Sequence, residues 1–426
     1  MLGTRRRPVF FGWKIVGALG LTTIISYGTT SYAFGVLLAP IAENQGWSRA
    51  ALSSAYALGI LVAGVLGIPI GRLVDRFGAR LLMSAGSATG GIALVALSRA
   101  RDVGEFGLLW GVGLGIATAL TFYPVSFTVV ANWFEHRRGA ALAWLTTLGG
   151  LASPIFIPAT GWFVAHAGWR ESMLFLGLAQ LVIALPLHAL VLRRHPEDLG
   201  LRPDGGVEHG RHESPHRVAT HRQQSATARQ ALRDTAFWSL SVAGGVEQLA
   251  AMVVFAHQIA LMISRGFDPI FAAGIAGLIG AASLPGRFIL NRLSDRYDAQ
   301  RLLALVLATL GVGVAVITMA DSTTWLYVYA IVYGIAFGAR SPLRASVMAS
   351  HYGRRAYGTI TAVQGAIMSV PAALGPLAAG WLYDSLGNYQ LAFWLTAGAF
   401  VIAASLIFLT PRPRGKVDSG PAMGYS

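Results

Sequence analysis

Twelve stretches of roughly 20 mostly apolar residues follow one another along the chain, more than one water-soluble core could bury. A helix of about that length crosses the hydrocarbon of a bilayer. There every backbone polar group must be bonded inside its own segment. The first six runs are Trp13–Leu38, Ala50–Ile70, Leu81–Ser98, Phe106–Val130, Gly139–Ala165 and Ser172–Leu192. The second six are Trp238–Ser264, Phe271–Leu290, Leu302–Ala320, Trp325–Val347, Tyr357–Leu382 and Leu391–Leu409. Only 12% of residues are charged, half the share of about 25% in soluble domains, so most of the surface faces lipid. The start, with Arg5, Arg6 and Arg7 before an apolar run, resembles a signal peptide. That run is too long for an h-region, however, and no A-x-A site closes it.

Charge sets the expected orientation. The formal charge is +14, which in a soluble protein would point to nucleic acid. Here the basic residues sit between apolar runs, so nucleic acid is not an expected partner. Of 33 Lys and Arg, Arg49, Arg99, Arg101, Arg170 and Arg265 fall in one set of loops, and Arg287 and Arg340 lie inside spans. The other 26 (33 − 5 − 2) lie in the termini and the opposite loops. The positive-inside rule then puts both termini in the cytoplasm of a multi-pass protein of the inner or plasma membrane.

The chain repeats itself. Gly71-Arg-Leu-Val-Asp75-Arg76 returns as Asn291-Arg-Leu-Ser-Asp295-Arg296, and Trp110-Gly-Val-Gly-Leu-Gly115 returns as Tyr333-Gly-Ile-Ala-Phe-Gly338. Arg137-Arg138 returns as Arg354-Arg355, and Gly161-Trp162 as Gly380-Trp381. The expected fold is therefore all-α and polytopic, with twelve transmembrane helices in two pseudo-symmetric six-helix bundles. The expected divisions are 1–192, a basic linker at 193–234, 235–410 and a tail at 411–426. Arg193–Asp234 holds eight Arg and five His (His195, His209, His212, His216, His221) and reads as a flexible linker. The spacing of those histidines fits no standard metal site, and the chain has no cysteine. No metal or cofactor is expected, and no partner chain beyond a monomer. Two parallel repeats imply a cavity between them that opens alternately to either side.

The run Gly71-Arg72-Leu73-Val74-Asp75-Arg76-Phe77-Gly78-Ala79-Arg80 resembles the loop 2–3 signature of the major facilitator superfamily, and the likeness covers essentially the whole chain. Three further features resemble its monocarboxylate and oxalate/formate branch. They are Asn132-Trp-Phe-Glu-His-Arg-Arg-Gly139, Gly286-Arg287, and Gly375-Pro376 through Gly380-Trp-Leu-Tyr-Asp384. The resemblance implies that Asp75, Arg76 and Arg80, with Asp295 and Arg296 in the second copy, latch the cytoplasmic gate. It implies that Arg287 meets a substrate carboxylate, which suits a guanidinium fork. It also implies a cavity lined by helices 1, 4, 7 and 10, making Tyr27 and Tyr123 candidates beside Ser31 and Ser126.

Charges within spans are rare and mark substrate or ion paths. Glu247 is the only acid well inside one, and it is the first candidate for a coupling proton, with His257 the second. A structural pairing of Glu247 with Arg287 is the competing reading. Ser283 lies one turn before Arg287 and offers a hydroxyl. Arg340 shares a helix face with Tyr333 seven residues earlier, suiting an anionic ligand, and Arg344 is expected to snorkel. Two arginines against one acid favour an anion. The expected function is proton-coupled symport of a small, monocarboxylate-like organic anion. Anion exchange and drug or metabolite export remain open alternatives. No catalytic or metal pattern supports an enzyme, and a non-transporting sensor is the remaining class.

Overall fold

The computed structural model describes residues 10–205, 228–294, 297–352 and 357–411. Among these there are no strands, and twelve helices are long and apolar enough to cross a membrane. They are α1 (Phe11–Gln45), α2 (Arg49–Phe77), α3 (Ala79–Leu97), α4 (Val103–Trp133), α5 (Arg138–Ala167), α6 (Trp169–Val191), α7 (Thr235–Ser264), α8 (Pro269–Ser294), α9 (Ala299–Met319), α10 (Thr323–Tyr352), α11 (Tyr357–Leu386) and α12 (Gln390–Leu409). All twelve apolar runs are therefore helices, longer than expected mostly by a turn or less at each end. At four N-termini the extra residues are held by polar caps that the hydropathy pattern does not weigh. Ser48, Asp102, Asp234 and Asp298 each accept a backbone N–H in the first turn of α2, α4, α7 and α9, satisfying donors that a helix start leaves orphaned.

α1 to α6 form one bundle and α7 to α12 the other. The bundles meet chiefly along α2 with α11, α5 with α8 and α1 with α7. An even number of spans puts Phe10 and Pro411 on one side, here the terminal side. On the far side the ends of α3 and α9 are capped alike. Arg170 donates to the Ser98 and Ala100 carbonyls at 3.0 Å each. Arg265 does the same for Ile317 and Ala320 at 3.0 Å each. A cation suits the negative end of a helix.

Several helices of the first bundle are interrupted, and two of the interruptions bear on the site. Gly28–Tyr32 winds as a π-turn within α1. α4 breaks at Phe122 and restarts over Tyr123-Pro124, where proline tolerates a helix start because its missing N–H would be orphaned anyway.

The linker reading fails at its first part. Residues 193–205 are built into the first bundle. The Trp133 indole donates to the Arg193 carbonyl at 3.1 Å. Asp204 accepts from the backbone N–H groups of Glu135 (2.9 Å), His136 (2.6 Å) and Arg137 (3.2 Å). Those donors lie in the turn between α4 and α5, just ahead of the first helical residue of α5, Arg138, where no helix bonds them. Desolvation works against the Asp204 charge, but the amide donors outweigh it and hold the carboxyl below its ordinary range. At the other end, Asp234 caps α7 and accepts from the Tyr352 hydroxyl at 3.1 Å. His209, His212, His216 and His221 lie outside the described residues.

Candidate functional site

Between the bundles lies a narrow cavity lined from both sides. Tyr32 of α1 and Ser153 of α5 face Phe255 and Gln258 of α7, Gly280 of α8, and Tyr333 and Phe337 of α10. Tyr329 donates to Gln258 Oε1 at 2.6 Å, fixing that amide. Nearer the terminal side a cavity of about 350 Å³ opens among α2, α7, α10 and α11, with Gln248, Ser341, Arg344 and Gln364 on its wall.

Three charged groups stand at mid-depth, and all come from the second bundle. Glu247 is 2% exposed. It forms a buried ion pair with Arg340 and lies 3.3 Å from Arg344 Nη1. The pairing that the sequence left open for Arg287 therefore belongs to Arg340. Arg287 is half-buried and donates to the Thr146 carbonyl of α5 at 3.1 Å. Among the described residues, no carboxylate lies within 4.0 Å of it. It remains within electrostatic reach of Tyr32 and Tyr123. Packing explains why these charges sit together. A Cβ on Gly286 would strike the Ile335 carbonyl, and one on Gly338 would strike the Ser283 carbonyl. These glycines let α8 and α10 touch backbone to backbone beside Arg287 and Arg340.

The other expected residues divide. Tyr333 lines the central cavity, yet Phe337, one turn closer, is the ring under Arg340, 4.7 Å from Cζ to centroid. Tyr27 stacks on Phe122 at 3.6 Å and lies 5.0 Å from Tyr123. Ser31 lines a separate small cavity with Tyr56, and Ser126 is buried. The Ser283 hydroxyl donates to Gly280 of its own helix at 2.7 Å. Arg76 packs on Phe77 at 5.2 Å, and Arg80 donates to the Ala189 carbonyl at 2.7 Å; both contacts stay within the first bundle. The side chain of Asp75, and all of Asp295 and Arg296, lie outside the described residues.

His257 is buried on the far side, where the bundles close against each other. Asp384 of α11 caps α2 across the gap, accepting from the backbone N–H groups of Arg49 (3.1 Å) and Ala50 (2.7 Å). Arg49 Nη1 donates to the Tyr389 hydroxyl at 2.7 Å. That hydroxyl lies 3.2 Å from His257 Nδ1. Gly380 allows the approach, since a Cβ there would sit 2.8 Å from the Arg49 carbonyl. The Gly380-to-Asp384 motif is thus a seal between bundles. The sequence reading gave no site role to Arg49, Asp384, Tyr389, Tyr32 or Phe337.

The Major Facilitator Superfamily family model matches residues 19–376 and 259–424. Monocarboxylate transporter 13 of Rattus norvegicus is 28% identical over 404 residues, covering 94% of this chain and 89% of that one. Monocarboxylate transporter 11 of Homo sapiens is 26% identical over 423 residues, covering 96% and 85%. Among solved structures, an inward-facing, unoccupied bacterial homolog of the human lysosomal transporter Spinster superposes with TM-score 0.74 at 18% identity, covering 95% of this chain and 98% of that one. The inward-open xylose transporter XylE of E. coli gives 0.70 at 15% identity, covering 95% and 98%.

Proposed function

Because the chain belongs to the major facilitator superfamily, and so is a membrane transporter and not an enzyme, we propose that it carries a small, monocarboxylate-like organic anion by alternating access, coupled to a proton. The observation that carries this reading is Arg287, a guanidinium at mid-depth between the bundles with no carboxylate partner among the described residues. A charge held there at a cost of about 2.5–3.5 kcal/mol is retained for a ligand. The names of the monocarboxylate transporter relatives support the same class.

Glu247 takes the coupling proton. While ionised it holds Arg340 and engages Arg344. Once protonated it loosens that hold, and the cavity becomes more positive as the anion arrives. Anion and proton then favour one another's binding, which is what symport requires. Tyr32 and Tyr333 bound the site, with Tyr27 and Tyr123 behind them in the first bundle. Asp75, Arg76, Arg80, Asp295 and Arg296 close the terminal side in the alternate state. The terminal side is cytoplasmic in the cell membrane, so the described conformation opens inward, and the carrier works as a monomer.

Arg287→Lys tests the site. Lysine keeps the charge and loses the planar fork. Affinity, read by titrating purified, monodisperse protein with a panel of short-chain mono- and dicarboxylates, should fall by about one to two orders of magnitude. Affinity close to that of the unsubstituted chain would refute carboxylate recognition by Arg287.

A further inference from the structure

On the far side one buried imidazole is held by groups from both bundles. His257 is 0% exposed. Its Nδ1 faces the Tyr389 hydroxyl at 3.2 Å, and its Nε2 faces the Pro376 carbonyl at 3.0 Å and the Ser53 hydroxyl at 3.3 Å. The direction of each hydrogen bond is fixed by what its ends can do. A guanidinium only donates, so the Tyr389 oxygen accepts from Arg49, and its single proton is left for His257 Nδ1. A carbonyl only accepts, so the ring proton sits on Nε2, pointing at Pro376. The relay from Arg49 through Tyr389 to His257 and on to Pro376 is complete with a neutral imidazole.

A second ring proton would break it. It would sit on Nδ1, so the Tyr389 hydroxyl could face it only by turning its own proton away from the ring and losing that acceptor, and it would place an imidazolium one hydroxyl away from Arg49. The acids nearby do not compensate. Asp384 is turned to the backbone N–H groups of Arg49 and Ala50, and Glu43 lies 3.6 Å from Arg49 Nη2. The Tyr383 ring is 3.8 Å from the Arg49 guanidinium on another side. Each of these groups faces Arg49 or its backbone.

We propose that His257 is a proton-binding site that keeps the far side closed only while neutral, so that a proton taken up there releases Tyr389 and, with it, the Arg49–Asp384 seal between the bundles. The proposal rests on the reading of the chain as an alternating-access carrier, and on neither the anion's identity nor Glu247. Its logic is linkage: a closed state that excludes the proton loses population to an open state that accepts it. An exposed imidazole has a pKa of about 6.5. The ratio of far-side-open to far-side-closed protein should then rise about tenfold between roughly pH 8 and pH 5.5. With the termini cytoplasmic, an acidic exterior would hold the carrier open outward.

The chain has no native cysteine, so spin labels can be placed cleanly at Ala167→Cys and Ser322→Cys, exposed far-side positions in opposite bundles. Pulsed electron-spin distances on the full chain, without added anion, would follow the two populations across that pH range. The tenfold rise is expected in the otherwise unsubstituted chain and in Glu247→Gln, and a flat profile in His257→Gln. If His257→Gln is not monodisperse, Tyr389→Phe removes the relay oxygen while keeping the ring, and the rise should shrink to under about threefold. A flat profile in the unsubstituted chain would overturn the proposal, as would the full rise persisting in His257→Gln or Tyr389→Phe. A response lost in Glu247→Gln and kept in His257→Gln would place the proton at Glu247 and overturn it too. Failure of the anion reading shows separately, as unchanged binding in Arg287→Lys.

Discussion

Replacing Glu247 by glutamine removes a charge and almost no volume, which isolates what the carboxylate does. In the folded chain it holds Arg340, whose side chain is 9% exposed, and engages Arg344, whose side chain is 29% exposed. Deleting one member of a buried pair costs about 3–5 kcal/mol. Glutamine still offers one carbonyl to Arg340, which recovers about one hydrogen bond to a charged group, roughly 1.5–3 kcal/mol. Arg344 can turn to water in the adjoining cavity, so its share is small. The net loss should be about 2 kcal/mol, enough to lower the apparent melting temperature by roughly 4–8 °C without preventing folding. The transport consequence is larger than the structural one, because glutamine mimics the protonated acid permanently. In proteoliposomes Glu247→Gln should exchange labelled anion for unlabelled anion across the membrane, yet fail to accumulate it under an imposed proton gradient. Gradient-driven accumulation matching that of the unsubstituted chain would refute the assignment of the coupling proton to Glu247.

Two predictions concern the scaffold. Asp204→Ala should cost about 1–2 kcal/mol, by analogy with losing a helix cap, and lower the melting temperature with little change in transport. Because the Asp204 carboxyl is held below its ordinary range, its contribution is present above about pH 4 and lost as pH falls through the lowered value. The melting difference between Asp204→Ala and the unsubstituted chain should therefore stay constant from neutral pH down to about 4 and shrink below that; a difference that already shrinks near neutral pH would refute the cap reading. Gly338→Ala drives a methyl group into the Ser283 carbonyl and should force α8 and α10 apart. Little monodisperse protein on size exclusion is expected, and normal yield with normal binding would refute close packing as the reason for that glycine.

The architecture was legible because its determinants are local. An apolar run of membrane length, a polar cap and a repeated motif can each be read within a few tens of residues. The site was partly legible for a related reason: a charge inside an apolar run stands out wherever it is. What could not be read is which charges meet. Glu247 and Arg340 are 93 residues apart, and their pairing depends on how α7 and α10 rotate about their axes. Arg49 and Asp384 are 335 apart, and nothing near Arg49 announces that an acid from the other bundle will cap its helix. Tyr32 was missed for a sharper reason. From Tyr27, ordinary helical spacing puts Ser31 on the same face four residues on. The π-turn at Gly28–Tyr32 advances one more residue per turn, so Tyr32 reaches the cavity in its place. Asp204 escaped because a basic, proline- and glycine-containing stretch carries no sign of the three amides waiting for it.

The two bundles contribute unequally, and that inequality fits a carrier driven by small energies. Arg287, Glu247 and Arg340 all belong to the second bundle, so on the proposed reading one bundle would hold both anion and proton while the other supplies aromatic and hydroxyl surface. The far-side seal is modest by comparison. The capping of α2 by Asp384 is worth about 1 kcal/mol by analogy with helix caps, and the Arg49–Tyr389 bond, whose donor is charged, adds roughly 1.5–3 kcal/mol. A change of one pH unit is worth about 1.4 kcal/mol at a titrating group. A seal much stronger than this would hold the chain in one conformation whatever the proton did. A much weaker one would leave both sides open and let the gradient leak. A seal of a few hydrogen bonds, set across glycine-lined backbone contacts, lies in the range where one proton or one bound anion shifts the balance between the two states.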